Sequence, residues 1–118
     1  MSTTIHRGRR LRRTPGLRAL ARETRIAPDQ LVAPLFVHED PRARVPIASL
    51  PGQARLSPEA AAEAAGALAA LGVGSVLLFG IPARKDAEGS GAWAEDGGVP
   101  RAIRAIKRRA PELVVWAD

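Results

Sequence analysis

The chain has no cysteine and no tyrosine, and its aromatic side chains number four: Phe36, Phe79, Trp93 and Trp116. Without cysteine, these residues form no disulfide and no thiolate metal site. With so few aromatics, the core must come from Leu, Val, Ile and Ala. No apolar run approaches the length of a membrane-spanning helix. The N-terminus lacks the apolar stretch of a secretory signal, so the expected location is cytoplasmic. Acidic residues are nearly absent from the start of the chain. Residues 1–25 hold eight arginines and one acid, Glu23, a balance of +7. Residues 26–118 hold ten basic and eleven acidic side chains, a balance of −1. The overall charge of +6 therefore belongs to an N-terminal segment and not to the body.

At 118 residues, 46% apolar and 25% charged, the chain fits one globular domain. Residues 1–13 read as an extended basic arm. Three uses fit such a run: a solvated tail, an arm laid over an acidic patch of a partner subunit, or a phosphate-binding segment. The arm carries no aromatic for base stacking, which weighs against nucleic acid. Pro15 opens a short helix pattern over residues 15–26, with Leu17, Leu20, Ala21 and Thr24 on one face. Residues 31–37 are a first strand, in which Pro34 predicts an edge position or a bulge. An irregular crossing follows, with a short strand pair suggested at 45–47 and 54–56. Ser57-Pro58-Glu59 starts a helix with an N-cap hydroxyl, a proline and a first-turn acid. That helix runs to Leu71 with Gly72 after it. Its face is mostly alanine, suited to close packing.

The stretch 75–80 is a continuous apolar run of strand length, which reads as a strand buried on both faces of a parallel sheet. A polar loop, Ile81–Gly98, separates it from a helix over about 97–109 with Asp96 or Gly97 as cap. Arg104, Lys107, Arg108 and Arg109 crowd the end of that helix, where they suit its dipole and read as a solvated face. Pro111 stops it, and residues 113–117 form a third strand. The alternation predicts an α/β protein of parallel βαβ units. Residues 1–28 form the arm with its short helix, and residues 29–118 form three strands and two helices.

Several apparent motifs lack the context their chemistry needs. Gly89-Ser90-Gly91-Ala92-Trp93-Ala94 matches a dinucleotide fingerprint, but it does not join a strand directly to its helix. His38-Glu39-Asp40 has no second histidine at ligand spacing. Lys85 and Lys107 are the only lysines, and neither sits in an apolar setting that would make it a Schiff-base nucleophile. Asp118 is different. It ends a strand, and the C-terminal ends of parallel strands are where such sheets place functional groups.

Taken together, several segments resemble the porphobilinogen synthase (5-aminolevulinate dehydratase) family. They are Arg9-Arg10-Leu11-Arg12 with Pro15 and Leu17-Arg18; Asp29 through Val37; Pro51-Gly52 with Arg55; Leu78-Phe79-Gly80-Ile81; Gly89-Ser90 with Ala92-Trp93; Glu95-Asp96-Gly97; and Pro111 through Val115 with Asp118. The resemblance implies a lyase that condenses two 5-aminolevulinate molecules to porphobilinogen with loss of water, in haem and other tetrapyrrole biosynthesis. It implies the N-terminal part of a (β/α)8 TIM barrel, about three strands of eight, preceded by an arm that clasps a neighbour in a homo-octamer. Arg7, Arg9, Arg10, Arg12 and Arg13 are then subunit-interface residues. Asp118 is an active-site wall residue, with Phe79 a second candidate. No catalytic, cofactor or metal residue is expected within these 118 residues. The two Schiff-base lysines and the zinc or magnesium of the full-length family fall after Asp118, so the chain is expected to be a fragment, inactive alone. The alternative expectation is a small binding module whose basic arm contacts nucleic acid or an acidic protein surface.

Overall fold

The structure, a computed structural model, describes residues 9–118. Its centre is two parallel strands, β1 (Val32–His38) and β4 (Ser75–Ile81), paired from Val32 opposite Ser75 to His38 opposite Ile81. Strand β5 (Val114–Ala117) runs parallel to β4, with Ser75 opposite Val114 and Leu78 opposite Ala117. Two short strands, β2 (Arg44–Pro46) and β3 (Ala54–Leu56), make an antiparallel hairpin. β3 also pairs in parallel with β1, at Phe36 and Val37. The sheet order is β2-β3-β1-β4-β5.

Five strands thus stand where the sequence predicts three plus a short pair at 45–47 and 54–56. The two extra strands have three residues each, too few to show a period, and their pairing depends on contacts far along the chain. Pro34 is explained by the same register. β3 reaches only Phe36 and Val37, so at Pro34 the sheet neighbour of β1 is β4 alone. The missing N–H faces no shortage of partners on a strand that is an edge at that point. The β1–β4 register runs through Pro34 without a bulge.

Helices α2 (Pro58–Ala70) and α3 (Gly98–Arg109) cover one face of the sheet. Ser57 caps α2, its Oγ accepting from the Ala60 amide at 3.2 Å. Gly72 supplies the left-handed residue beyond the C-terminus, at φ +85°. The alanine face of α2 meets α3 and the sheet directly. Ala61, Ala62 and Ala65 bury against Leu35, Val37, Val76 and Leu78 and against Ala102, Ala105 and Ile106 of α3. Leu71, at the end of this helix, stays exposed. The cap of α3 is Gly97, not Asp96. At the base of the sheet Gly74 passes the Asp29 carbonyl so closely that a side chain there would collide with backbone.

Among the described residues, no helix covers the opposite face of the sheet. Pairing places Val32, Pro34 and Phe36 of β1 beside Leu77 and Phe79 of β4 and Val114 and Trp116 of β5 on that side. Trp116 is 55% exposed, Val32 51% and Val114 48%. This is an apolar surface left uncovered by the described residues.

The helix expected over 15–26 is shorter. α1 spans Pro15–Leu20, capped by Thr14, whose Oγ1 accepts from the Leu17 amide at 3.2 Å. Residues 9–26 include no buried side chain, and Leu20 is 84% exposed. An amphipathic pattern becomes a long helix only when its apolar stripe is buried, and here nothing in the body packs on it.

Candidate functional site

The parallel strands β1, β4 and β5 end on one side of the sheet, at His38, Ile81 and Ala117, with Asp118 directly after β5. The Asp118 amide extends the ladder by donating to the Leu78 carbonyl at 3.2 Å. Over these ends lies the β4–α3 loop, residues 82–97, which is built around Asp86. Its carboxylate accepts from the amides of Glu88 (3.2 Å) and Ser90 (2.9 Å) and from the Ser90 hydroxyl. The Ser90 hydroxyl above all, then the amides, hold the Asp86 carboxyl below the usual aspartate range. The sequence resembling a dinucleotide fingerprint falls inside this loop. Ser90–Ala92 is a single 3-10 turn and leads into no α-helix, so the phosphate-binding geometry is absent there.

Glu39 ties the three elements together. Its Oε2 accepts from the Ala83 amide at 3.0 Å, and its carbonyl accepts from Arg101 Nη2 at 2.6 Å. Gly98, at the first turn of α3, is buried against Glu39, and a side chain there would press on it at 3.2 Å. Neither Glu39 nor Arg101 was legible as a strut. One looks like half of an adjacent acidic pair, and the other like one more base on a basic helix. Only their 62-residue separation in sequence, closed by the fold, reveals the link.

A cavity of about 620 Å³ opens beneath the loop. Asp118 and Ala117 line it from β5, Gly80 and Ile81 from β4, Val99 and Ile103 from α3, and Arg84 and Lys85 from the loop. Asp118 therefore stands at a strand end on a cavity wall, as its position in sequence suggests. Phe79 is not among the lining residues. It lies on the helix-free face, stacked on Phe36 with ring centroids 5.5 Å apart and planes at 23°. Lys85 is exposed on the loop. Lys107 is bound to structure, its Nζ donating to the carbonyls of Leu113 (2.7 Å) and Pro111 (3.1 Å). Arg104 likewise donates to the Glu95 carbonyl at 2.9 Å, so the basic end of α3 does more than face solvent.

The His38-Glu39-Asp40 run does not assemble a metal site. His38 Nδ1 accepts from the Asp40 amide at 3.0 Å, and Asp40 Oδ1 accepts from the Arg42 amide at 2.8 Å. Glu39 is committed to Ala83. Among the described residues, no three His, Cys, Asp or Glu side chains group as ligands. The donors present do not fit a metal ion. Arg9, Arg10 and Arg12 form a 3-10 turn with Arg13 after it, all exposed, and the Arg12 carbonyl accepts from Arg18 Nη1 at 3.0 Å. Arg7 lies outside the described residues.

A family model for delta-aminolevulinic acid dehydratase matches residues 5–118. The chain belongs to that family. A delta-aminolevulinic acid dehydratase of Ruminiclostridium josui is 45% identical over 114 residues, covering 97% of this chain and 56% of the relative. The one from Escherichia coli is 39% identical over all 118 residues, which cover 36% of its length. Among solved structures, a porphobilinogen synthase from Toxoplasma gondii, in complex with the reaction product porphobilinogen, superposes with a TM-score of 0.86 at 36% identity. The match covers 96% of this chain and 32% of that one. The chain thus spans a third to just over a half of the length of these dehydratases. Over this span the chain is a mixed α/β unit with a five-stranded sheet, and it resembles the Toxoplasma gondii structure.

Proposed function

We propose that residues 1–118 supply the N-terminal portion of a porphobilinogen synthase, the lyase that joins two 5-aminolevulinate molecules to porphobilinogen with loss of water. The parallel strands would be the opening strands of a (β/α)8 barrel, and the helix-free face would be its interior. The observation that carries this reading is one cavity at the C-terminal ends of the parallel strands β4 and β5, with Glu39, just past β1, and Asp118 in its wall. In barrels the C-terminal strand ends and the loops after them hold the active site. Asp118 is then a substrate-pocket residue. Phe79, stacked with Phe36 on the helix-free face, would line the barrel interior below it. The Schiff-base lysines and the metal, zinc or magnesium, would come from residues beyond this span, and no step of the reaction is assigned to the donors present here.

The basic arm fits a role in assembly. Over the described residues 9–26 its arginines are exposed, Leu20 and Ile26 are bare, and no side chain is buried. An arm with both charged and apolar unburied residues suits the surface of a neighbouring subunit in a homo-oligomer such as an octamer. A cytoplasmic setting accords with this function, and no described helix is long and apolar enough to cross a membrane.

The test is a chimera. Residues 1–118 replace the matching part of the E. coli relative, and porphobilinogen formation from 5-aminolevulinate is followed. An active chimera is expected, with Asp118→Ala lowering kcat by at least about tenfold, the scale of a lost polar contact to the reacting groups. A folded chimera without activity overturns the functional reading. Full activity in Asp118→Ala removes Asp118 from the site while leaving that reading intact.

A further inference from the structure

On the outer side of the molecule, away from the strand-end cavity, α3 presents three arginines at helical spacing: Arg101, Arg104 and Arg108. They share one face because positions three and four apart on a helix are neighbours. Together with Pro41 and the first turn of α2, Pro58 and Glu59, they line a pocket of about 210 Å³. The only acid in the lining is Glu59, 3.6 Å from Arg108 in an exposed ion pair. Three guanidinium groups against one carboxylate leave two positive charges without a counter-charge in the lining. The nearby acids are spent elsewhere. Asp40 is turned to the Arg42 amide, and Glu63 faces Arg44 at 3.8 Å.

The arginines are also under-used as donors. A guanidinium carries five N–H groups. Arg101 uses Nη2 on the Glu39 carbonyl, and its Nε is buried with no partner at all. Arg104 uses Nη2 on the Glu95 carbonyl. These two bonds tether the guanidinium heads of Arg101 and Arg104 and leave each with further N–H groups, while Arg108 is held only by its exposed pair with Glu59. Fixed forks with donors to spare recognise tetrahedral oxyanions in two-pronged fashion. At about 210 Å³ the pocket has room for one such group.

We propose that the Arg101–Arg104–Arg108 pocket binds a phosphate-type dianion, either free or as the terminal group of a phosphate monoester. The site is separate from the strand-end cavity, and two hydrogen bonds, Arg101 to the Glu39 carbonyl and the Ala83 amide to the Glu39 carboxylate, connect it to the loop that roofs that cavity. The proposal does not depend on the catalytic reading above, because it is tested by binding alone.

The experiment uses the 118-residue chain with inorganic phosphate, phenyl phosphate and, at matched ionic strength, sodium chloride. Binding is followed by backbone amide shifts and by thermal stabilisation, since a ligand of the folded state raises the melting temperature. Phosphate is expected to shift amides around Glu59, Arg101 and Arg104 in a saturable way and to stabilise more than chloride. The double variant Arg104→Gln/Arg108→Gln should weaken binding about tenfold or more, because charge-assisted hydrogen bonds are lost. Glu59→Gln, which removes the competing carboxylate and should leave folding untouched, should tighten it. Equal binding of phenyl phosphate assigns the site to phosphorylated metabolites, and preference for inorganic phosphate assigns it to the free ion. Stabilisation no greater than with chloride, or unchanged affinity in Glu59→Gln, overturns the proposal.

Discussion

At the scale of single residues, two positions show how differently this core responds to adding and removing atoms. Leu78 is fully buried between the strands and the helices. Leu78→Ala should cost about 2–5 kcal/mol, because the lost transfer energy is joined by the cost of a cavity. Gly74 faces the backbone of Asp29, which cannot swing aside as a side chain could. Gly74→Ala should therefore cost about 1–3 kcal/mol by overpacking, although alanine is otherwise the better residue for ordered backbone. Urea denaturation of both variants measures the two effects. A Gly74→Ala protein as stable as the parent would show that the strand base can open. Leu78 as core was legible from its place in an apolar run. The constraint at Gly74 was not, because it depends on a backbone 45 residues away.

At the scale of elements, legibility follows length and self-sufficiency. Helix α2 was readable to within a residue because Ser57, Pro58 and Gly72 punctuate it locally. The hairpin of β2 and β3 and its attachment to β1 were only hinted at, since three-residue strands carry no period. Helix α1 was overestimated because its pattern promises a partner that the body does not provide. The candidate site divides in the same way. The position of Asp118 after a strand was legible in the sequence, whereas the Glu39–Arg101 strut required the fold. The β4–α3 loop makes its own prediction. Asp86, with its carboxyl held below the usual range, favours the ordered loop when ionised. That contribution is present above the ordinary aspartate pKa and is lost as pH falls through the lowered value. Hydrogen exchange at the Glu88 and Ser90 amides should quicken relative to the helices on acidification, and Asp86→Asn should show the faster exchange already at neutral pH. Equal protection in that variant would mean that the loop is held by something else.

At the scale of the whole molecule, the described residues finish the sheet on one face and leave the other bare. The bare face joins Val32, Phe36, Leu77, Phe79, Val114 and Trp116 into one apolar area, and β5 leaves an open edge beside it. Surfaces of this kind associate unless covered. The 118-residue chain should self-associate with rising concentration in sedimentation velocity runs. Trp116→Lys should shift it toward monomer without changing the far-ultraviolet spectrum, because Trp116 lies outside the helix-side core. Monomeric behaviour of the unaltered chain at all concentrations would remove the bare face as an association surface.

That bare face also bears on how the protein is made. Ribosomes add about 5–20 residues per second. In a dehydratase of the relatives' length, this region would leave the exit tunnel well before the residues that could shield it, a wait on the order of tens of seconds. The helix-side core can condense at once, since its strands and helices are close neighbours in sequence. The face with Trp116 cannot. The interval between those two events is when a nascent chain of this kind most needs a chaperone, and its apolar strand face is where one would grip.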